Sequence, residues 1–175
     1  MTIQAQYLGM PLDISALDGE NLDYFRHCAA HDFHLQACTA CGLLRYPPST
    51  ACPWCANPGA RWTRVEGRGA VHSYTEVHHA IQPAFRAHVP YLVLLVDLDT
   101  QKGKPSAEEA LRVVGNLVTP DSVLAPPDLV RKVGIGTRVR MVFSDVARGL
   151  ALPQWTIDEA APQPVAPWRY PQEKA

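Results

Sequence analysis

The sequence predicts a mainly β chain, with one helix near the N-terminus, then a small metal-tied ribbon, then a five-stranded sheet curled towards a barrel. Three observations carry this. Four cysteines stand as two C-x-x-C pairs, Cys38/Cys41 and Cys52/Cys55, with ten residues between the pairs. One helical period, Leu22, Phe25 and Ala29, precedes them. Beyond residue 61, five short stretches read as strands, with no βαβ rhythm among them.

A Cys-x-x-Cys loop lets two thiolates converge on one ion, and two such loops complete the tetrahedral sulfur shell that zinc prefers. Gly42 follows the first pair and Pro53 sits inside the second. The ten-residue spacing is shorter than that of most ribbons. No secretory apolar segment opens the chain, so it is expected in the cytoplasm, where disulfides are rare. A redox dithiol is disfavoured because such motifs sit at a helix start beside a βαβ pattern. The expected ligands are therefore Cys38, Cys41, Cys52 and Cys55, around a structural zinc. Four thiolates close the coordination sphere, whereas a catalytic zinc keeps a position open. A ribbon of about 25 residues cannot bury enough apolar surface to fold without it. Cys28, the fifth cysteine, reads as a buried structural thiol on the helix.

The 175 residues suit one medium domain or two small ones, and the net charge of −1 argues against a dedicated nucleic-acid binder. No apolar run reaches the length of a membrane span. Residues 1–17 lack strong periodicity and are expected to form an arm. Asp18 is placed to cap a helix that ends near His31, with Glu20 and Asp23 in its first turn. Residues 33–37 read as a strand into the first cysteine pair and 43–46 as its return, stopped by Pro47 and Pro48. Residues 70–77 alternate, with Val71, Ser73, Thr75 and Val77 on one face and His72, Tyr74 and Glu76 on the other. Gly67 and Gly69 suit a bend at the start of that strand. Residues 91–98 are nearly all apolar, the mark of a strand buried on both sides. Strands at 111–118, 137–143 and 152–157 follow, with Val139, Met141 and Phe143 inward against Arg138 and Arg140. Five short, bent strands of this kind fit a partly open OB-fold-type barrel, with a five-stranded sandwich as the alternative. Four prolines after residue 160 predict an extended tail. The domains drawn from this are 1–36 (arm and helix), 37–60 (zinc ribbon), 61–158 (OB-fold domain) and 159–175 (Pro-rich tail).

Taken in order, these motifs resemble the family that joins a rubredoxin-like zinc ribbon to an acyl-CoA-associated OB-fold. The residues carrying the resemblance are Cys38, Cys41 and Gly42; Tyr46-Pro47-Pro48; Cys52-Pro53-Trp54-Cys55; Trp62 before Gly67 and Gly69; Pro90-Tyr91; Gly115-Asn116-Leu117; and Ile135-Gly136 with Val139. The resemblance spans about residues 18–157. It implies a small partner of a thiolase-superfamily large subunit, in a heterotetramer built on a thiolase-like dimer, with a CoA ester as shared ligand. The large subunit would cleave a C–C bond by thiolase chemistry, or by retro-aldol cleavage of an acyl-CoA side chain. The chain departs from the family in a polar insertion at 100–110, where relatives make a tight hairpin carrying an arginine; Arg112 is its nearest counterpart.

The residues themselves supply little catalytic machinery. No G-x-S-x-G, P-loop or dinucleotide fingerprint occurs, and no free nucleophilic cysteine has an evident basic partner. His27 and His31 are four apart, a metal-compatible spacing, but a solvated or partner-facing helix surface is the simpler reading. His78, His79 and His88 read as loop residues. A nucleic-acid module is the weaker alternative, because the aromatics are scattered and not grouped on one strand. On the barrel, Arg64, Arg68, Arg138 and Arg140 are the candidate cations for a CoA ester. Leu43, Leu44, Tyr46, Pro47 and Trp54 crowd a ribbon too small to bury them, and the tail adds Trp168 and Tyr170. Together these make the candidate partner interface.

Overall fold

In the computed structural model, which describes residues 2–15 and 19–170, the N-terminal segment forms a hairpin in place of the expected arm. Strand β1 (Thr2–Tyr7) pairs antiparallel with β2 (Met10–Ser15). Leu8 and Gly9 between them both have positive φ, 52° and 79°, as a two-residue turn matching the strand twist requires. Ala5 and Tyr7 are buried. Tyr7 packs against Phe85 and accepts a hydrogen bond from Gln154 at 3.3 Å.

Asp18, the expected cap, lies outside the described residues. Helix α1 (Gly19–Ala29) buries Leu22, Tyr24 and Cys28. It closes by a Schellman pattern: Asp32 N–H donates to His27 O and His31 N–H to Cys28 O, with His31 at φ 53°. His31 is thus past the helix, and its spacing from His27 no longer puts both on one helical face.

The ribbon is a three-stranded sheet in the order β4-β3-β5, built from β3 (His34–Cys38), β4 (Leu44–Arg45) and β5 (Ala60–Arg64). Its last strand crosses residue 61, so Trp62 and Arg64 pair with β3 and do not open the barrel.

The second sheet has five antiparallel strands: β6 (Arg68–Val77), β7 (Tyr91–Leu98), β8 (Arg112–Asn116), β9 (Arg138–Ala147) and β10 (Leu150–Ile157). Their order is β10-β9-β6-β7-β8. The two edges meet at a parallel bridge, Leu117 to Trp155, with Val118 N–H donating to Trp155 O at 2.8 Å, and where Asn116 N–H donates to Gln154 Oε1 at 2.8 Å. The sheet is a partly open barrel and not a closed one. Leu92, Leu94, Val96, Leu98, Val113 and Trp155 fill it, each fully buried. Gly69 is required at the bend, since a Cβ there would lie 2.1 Å from Asp97 O. The short helix α2 (Pro127–Val130) closes one end with buried Val130.

Two facings differ from the expectation. Strand β7 alternates buried and half-buried residues, so it is covered fully on one side only. In β6 a register shift between Val71 and Ser73 reverses the later alternation. Val71 stays buried, while Ser73 and Thr75 become exposed and Tyr74 and Glu76 turn towards the body.

The insertion and the tail both dock. Buried Gln101 accepts Leu44 N–H at 2.7 Å and donates to Leu44 O at 3.2 Å, tying the ribbon to the barrel. In the tail, Trp168 exchanges two backbone hydrogen bonds with Ile135. Arg169 bonds the carbonyls of Val130 and Val133 and pairs with Glu76. Among the described residues, no helix is long and apolar enough to cross a membrane.

Candidate metal centre and barrel face

The two cysteine pairs are built on one backbone design. Cys38 N–H donates to Leu43 O, and Gly42 N–H returns to Cys38 O. Fourteen residues on, Cys52 N–H donates to Asn57 O and Ala56 N–H returns to Cys52 O. The residue after each pair is left-handed, Gly42 at φ 75° and Ala56 at 60°. Each turn aims its two thiols inward. Cys38 Sγ is 3.6 Å from Cys55 Sγ, Cys41 Sγ is 3.6 Å from Cys52 Sγ, and all four sulfurs lie within 4.8 Å of one another. A zinc tetrahedron with bonds of about 2.3 Å has S···S edges of about 3.8 Å, whereas a disulfide needs about 2.05 Å. The donor set fits a tetrathiolate ion.

Backbone amides prepare the charge. The N–H of Cys41, followed by that of Ala40, holds the Cys38 thiol down to about 6 against the pull of burial. Cys52 is lowered too: burial opposes, and the N–H groups of Trp54 and Cys55 prevail. Cys41 moves up to about 12. The Leu43 N–H lowers it, but burial and the thiols of Cys52, Cys55 and Cys38 outweigh that pull. Several thiolates crowded together repel unless a cation sits among them.

Cys28 is fully buried beside Tyr24, and burial pushes its thiol up to about 12. Such a group is inert. His27 stacks on His34 at 4.2 Å and His31 on Phe143 at 5.2 Å, so the two diverge. Among the described residues, the four ribbon cysteines are the one group placed to hold a metal.

The four candidate arginines separate. Arg64, on the ribbon sheet, bonds Asp32 at 2.7 Å. Arg138 clasps Asp99 with both terminal nitrogens, and that hydrogen bonding holds the Asp99 carboxyl below its usual value. Arg68 and Arg140 stand directly opposite each other across β6 and β9. Together with buried Asp158 they line a cleft of about 240 Å³. Arg68 reaches Glu66 at 3.4 Å and Asp158 at 3.6 Å, while Arg140 has no ion-pair partner among the described residues. Like charges directly opposite on a sheet are unfavourable; Glu66 and Asp158 offset Arg68, and Arg140 is the cation of the pair without a carboxylate partner.

The interface candidates also divide. Leu44 is buried and Leu43 half-buried, while Tyr46 packs on the core against Tyr24. Leu44 and Tyr46 thus belong to the chain's own core, Tyr46 against the helix. Pro47, Trp54, Trp168 and Tyr170 remain exposed. Sequence reasoning missed Gln101, Glu76 and Arg169, whose polar side chains carry no motif. It also missed the cavity that the tail makes with β6.

The family model described as the ChsH2 C-terminal OB-fold domain matches residues 62–144. A solved chain of the Ltp2-ChsH2(DUF35) aldolase is 30% identical, with a TM-score of 0.63; the match covers 82% of this chain and 98% of that one. The chain belongs to the ChsH2/DUF35 family. A stretch of 112 residues is 37% identical to a probable enoyl-CoA hydratase alpha subunit of Thermomonospora curvata, and the chain spans 31% of that protein's length. A DUF35-family protein of Sulfolobus solfataricus is more distant, 14% identical with a TM-score of 0.46. For a ChsH2/DUF35 chain, the cysteine tetrad and the barrel order reported above are the features on which function can be argued.

Proposed function

We propose that this chain is the small, zinc-holding subunit of an acyl-CoA complex in which a larger, thiolase-superfamily subunit performs retro-aldol cleavage. The observation carrying this is the near end-to-end likeness to a chain of the Ltp2-ChsH2(DUF35) aldolase. That likeness supports aldolase cleavage over thiolase cleavage, two readings that the sequence alone does not separate.

The chain's own chemistry supports an accessory part. Zinc on Cys38, Cys41, Cys52 and Cys55 would close the ribbon and leave no position for substrate. Cys28 cannot act as a nucleophile in the core. Arg140, with Arg68 beside it, offers a phosphate of the CoA ester a charged contact on the barrel. A barrel wall packed on the large subunit would keep water from the thioester and limit its hydrolysis. Trp54 and Pro47, exposed on the ribbon, are anchors available to that contact, and the assembly is read as a heterotetramer on a large-subunit dimer.

Co-expression with an acyl-CoA aldolase large subunit tests this. The two chains are expected to co-purify in equal amounts with one zinc per small chain. Separate elution at micromolar concentration would remove the reading.

A further inference from the structure

Outside the metal centre, a cavity of about 410 Å³ opens between β6 and the docked tail. Tyr74, Ile135, Trp168 and Tyr170 wall it, and Glu76 and His78 bring polar groups to it. The tail here is extended and pinned. Trp168 pairs its backbone with Ile135, and Tyr170 N–H donates to Tyr74 Oη at 2.9 Å. Between them, Arg169 turns inward to Val130, Val133 and Glu76.

In an extended segment residues i and i+2 share a face, and Arg169 occupies the inward one. Trp168 and Tyr170 therefore stand side by side on the other, about 6.6–6.8 Å apart along the chain. A flat ring touching a neighbour on each side at about 3.5 Å fills an interval of that size. Neither side chain is covered: Trp168 is 56% exposed and Tyr170 75%. Folding has spent a docked tail on holding two aromatic rings open.

The polar groups narrow the occupant. Glu76 gives Oε2 to Arg169, while Oε1 lies 3.5 Å from His78 Nε2. The Glu76–Arg169 pair is neutral as a unit, so the cavity suits an uncharged group over a phosphate or carboxylate. A carboxylate acceptor beside an imidazole matches a planar heterocycle carrying an amino group next to a ring nitrogen. We propose that the cavity binds an adenine-type base, stacked between Trp168 and Tyr170, with its amino group donating to Glu76 and a ring nitrogen facing His78. Stacking on aromatic side chains accepts any base; the Glu76–His78 edge excludes uracil and suits the amino–ring nitrogen pattern that adenine shares with cytosine, and the larger adenine ring stacks better. The base belongs equally to a free adenine nucleotide and to CoA; the second source rests on the acyl-CoA reading.

Calorimetric titration of the full chain with adenosine, uridine, CoA and pantetheine tests the proposal. Adenosine is expected to saturate with a Kd on the order of 0.1–1 mM and uridine to bind at least about tenfold more weakly. Tyr170→Ala and His78→Ala, both at exposed side chains, are each expected to weaken adenosine about tenfold with unchanged melting temperature. CoA binding more tightly than adenosine, with pantetheine silent, would name CoA as the source; equal affinities would name the free nucleotide. Absence of saturable adenosine binding up to about 10 mM, or binding that survives both substitutions, overturns the proposal. So does a Tyr170→Ala variant that loses the large subunit while adenosine is silent, which would make the cavity a protein contact. The subunit reading is read separately, from co-purification of the unsubstituted chain.

Discussion

Cys38 and Cys52 start two turns with the same hydrogen-bond pattern, and the account at residue scale rests on that repetition. Because the fold of the ribbon and its ion are one equilibrium, Cys38→Ser is expected to lose the zinc and lower the melting temperature sharply. Cys28→Ser should keep one zinc per chain and cost about 1–3 kcal/mol, the range for a hydroxyl placed in a core. Metal analysis beside melting curves separates them, and equal losses would mean the tetrad is not what folds the ribbon. Ala56 occupies the left-handed position that Gly42 fills in the other turn. A non-glycine residue there costs about 1–2 kcal/mol, partly offset by the greater unfolded-state freedom of glycine. Ala56→Gly is therefore expected to stabilise by about 0.5 kcal/mol, seen as a small rise in melting temperature at unchanged zinc content. The cysteine spacing made the tetrad legible in the sequence. The arginines were not, because what distinguishes Arg140 from Arg138 is the presence of Asp99 across the fold.

At the scale of elements, helix α1, the first two ribbon strands and the barrel strands were legible from periodicity, spacing and glycine positions, whereas the third ribbon strand, β5, reads in the sequence as part of the barrel. The facings of β6 and β7 were not. A one-residue bulge after Val71 inverts the alternation, and no residue type announces it; the apolar run of β7 conceals a half-covered side. The hairpin β1–β2 was hidden for a different reason: Leu8 stands where such turns favour asparagine or glycine. The tail is the largest departure. Proline content correctly predicts an extended chain, but docking depends on Arg169 finding two carbonyls and Glu76. Arg169→Ala leaves Glu76, only 14% exposed on its side chain, with His78 at 3.5 Å in place of its guanidinium partner. We expect a loss of about 1–3 kcal/mol, or a fall of about 2–12 °C in melting temperature. An unchanged melting temperature would show that the tail contributes nothing to the fold. Strand content alone leaves the ribbon and barrel independent, whereas Gln101 clamps Leu44 from the insertion. That gives the 100–110 segment a structural role.

For the whole molecule, the parts divide the labour of a partner subunit. The ribbon gathers four thiols fit to hold a metal, the core holds its one remaining thiol inert, and Trp54, Trp168 and Tyr170 lie on the outside. What the whole does was legible only as a resemblance, because an accessory subunit has no nucleophile, base or phosphate loop for a motif to reveal. The central claim is that this chain enables acyl-CoA side-chain cleavage without performing it. The most direct test is single-turnover cleavage of an acyl-CoA retro-aldol substrate by the large subunit, by this chain and by the two together, each at equal concentration. The account predicts no cleavage by this chain alone, and a rate for the pair at least about a hundredfold above the large subunit alone, a difference of about 2.7 kcal/mol in barrel-assisted transition-state stabilisation. Cleavage by this chain alone, or a large subunit equally fast without it, would contradict the account.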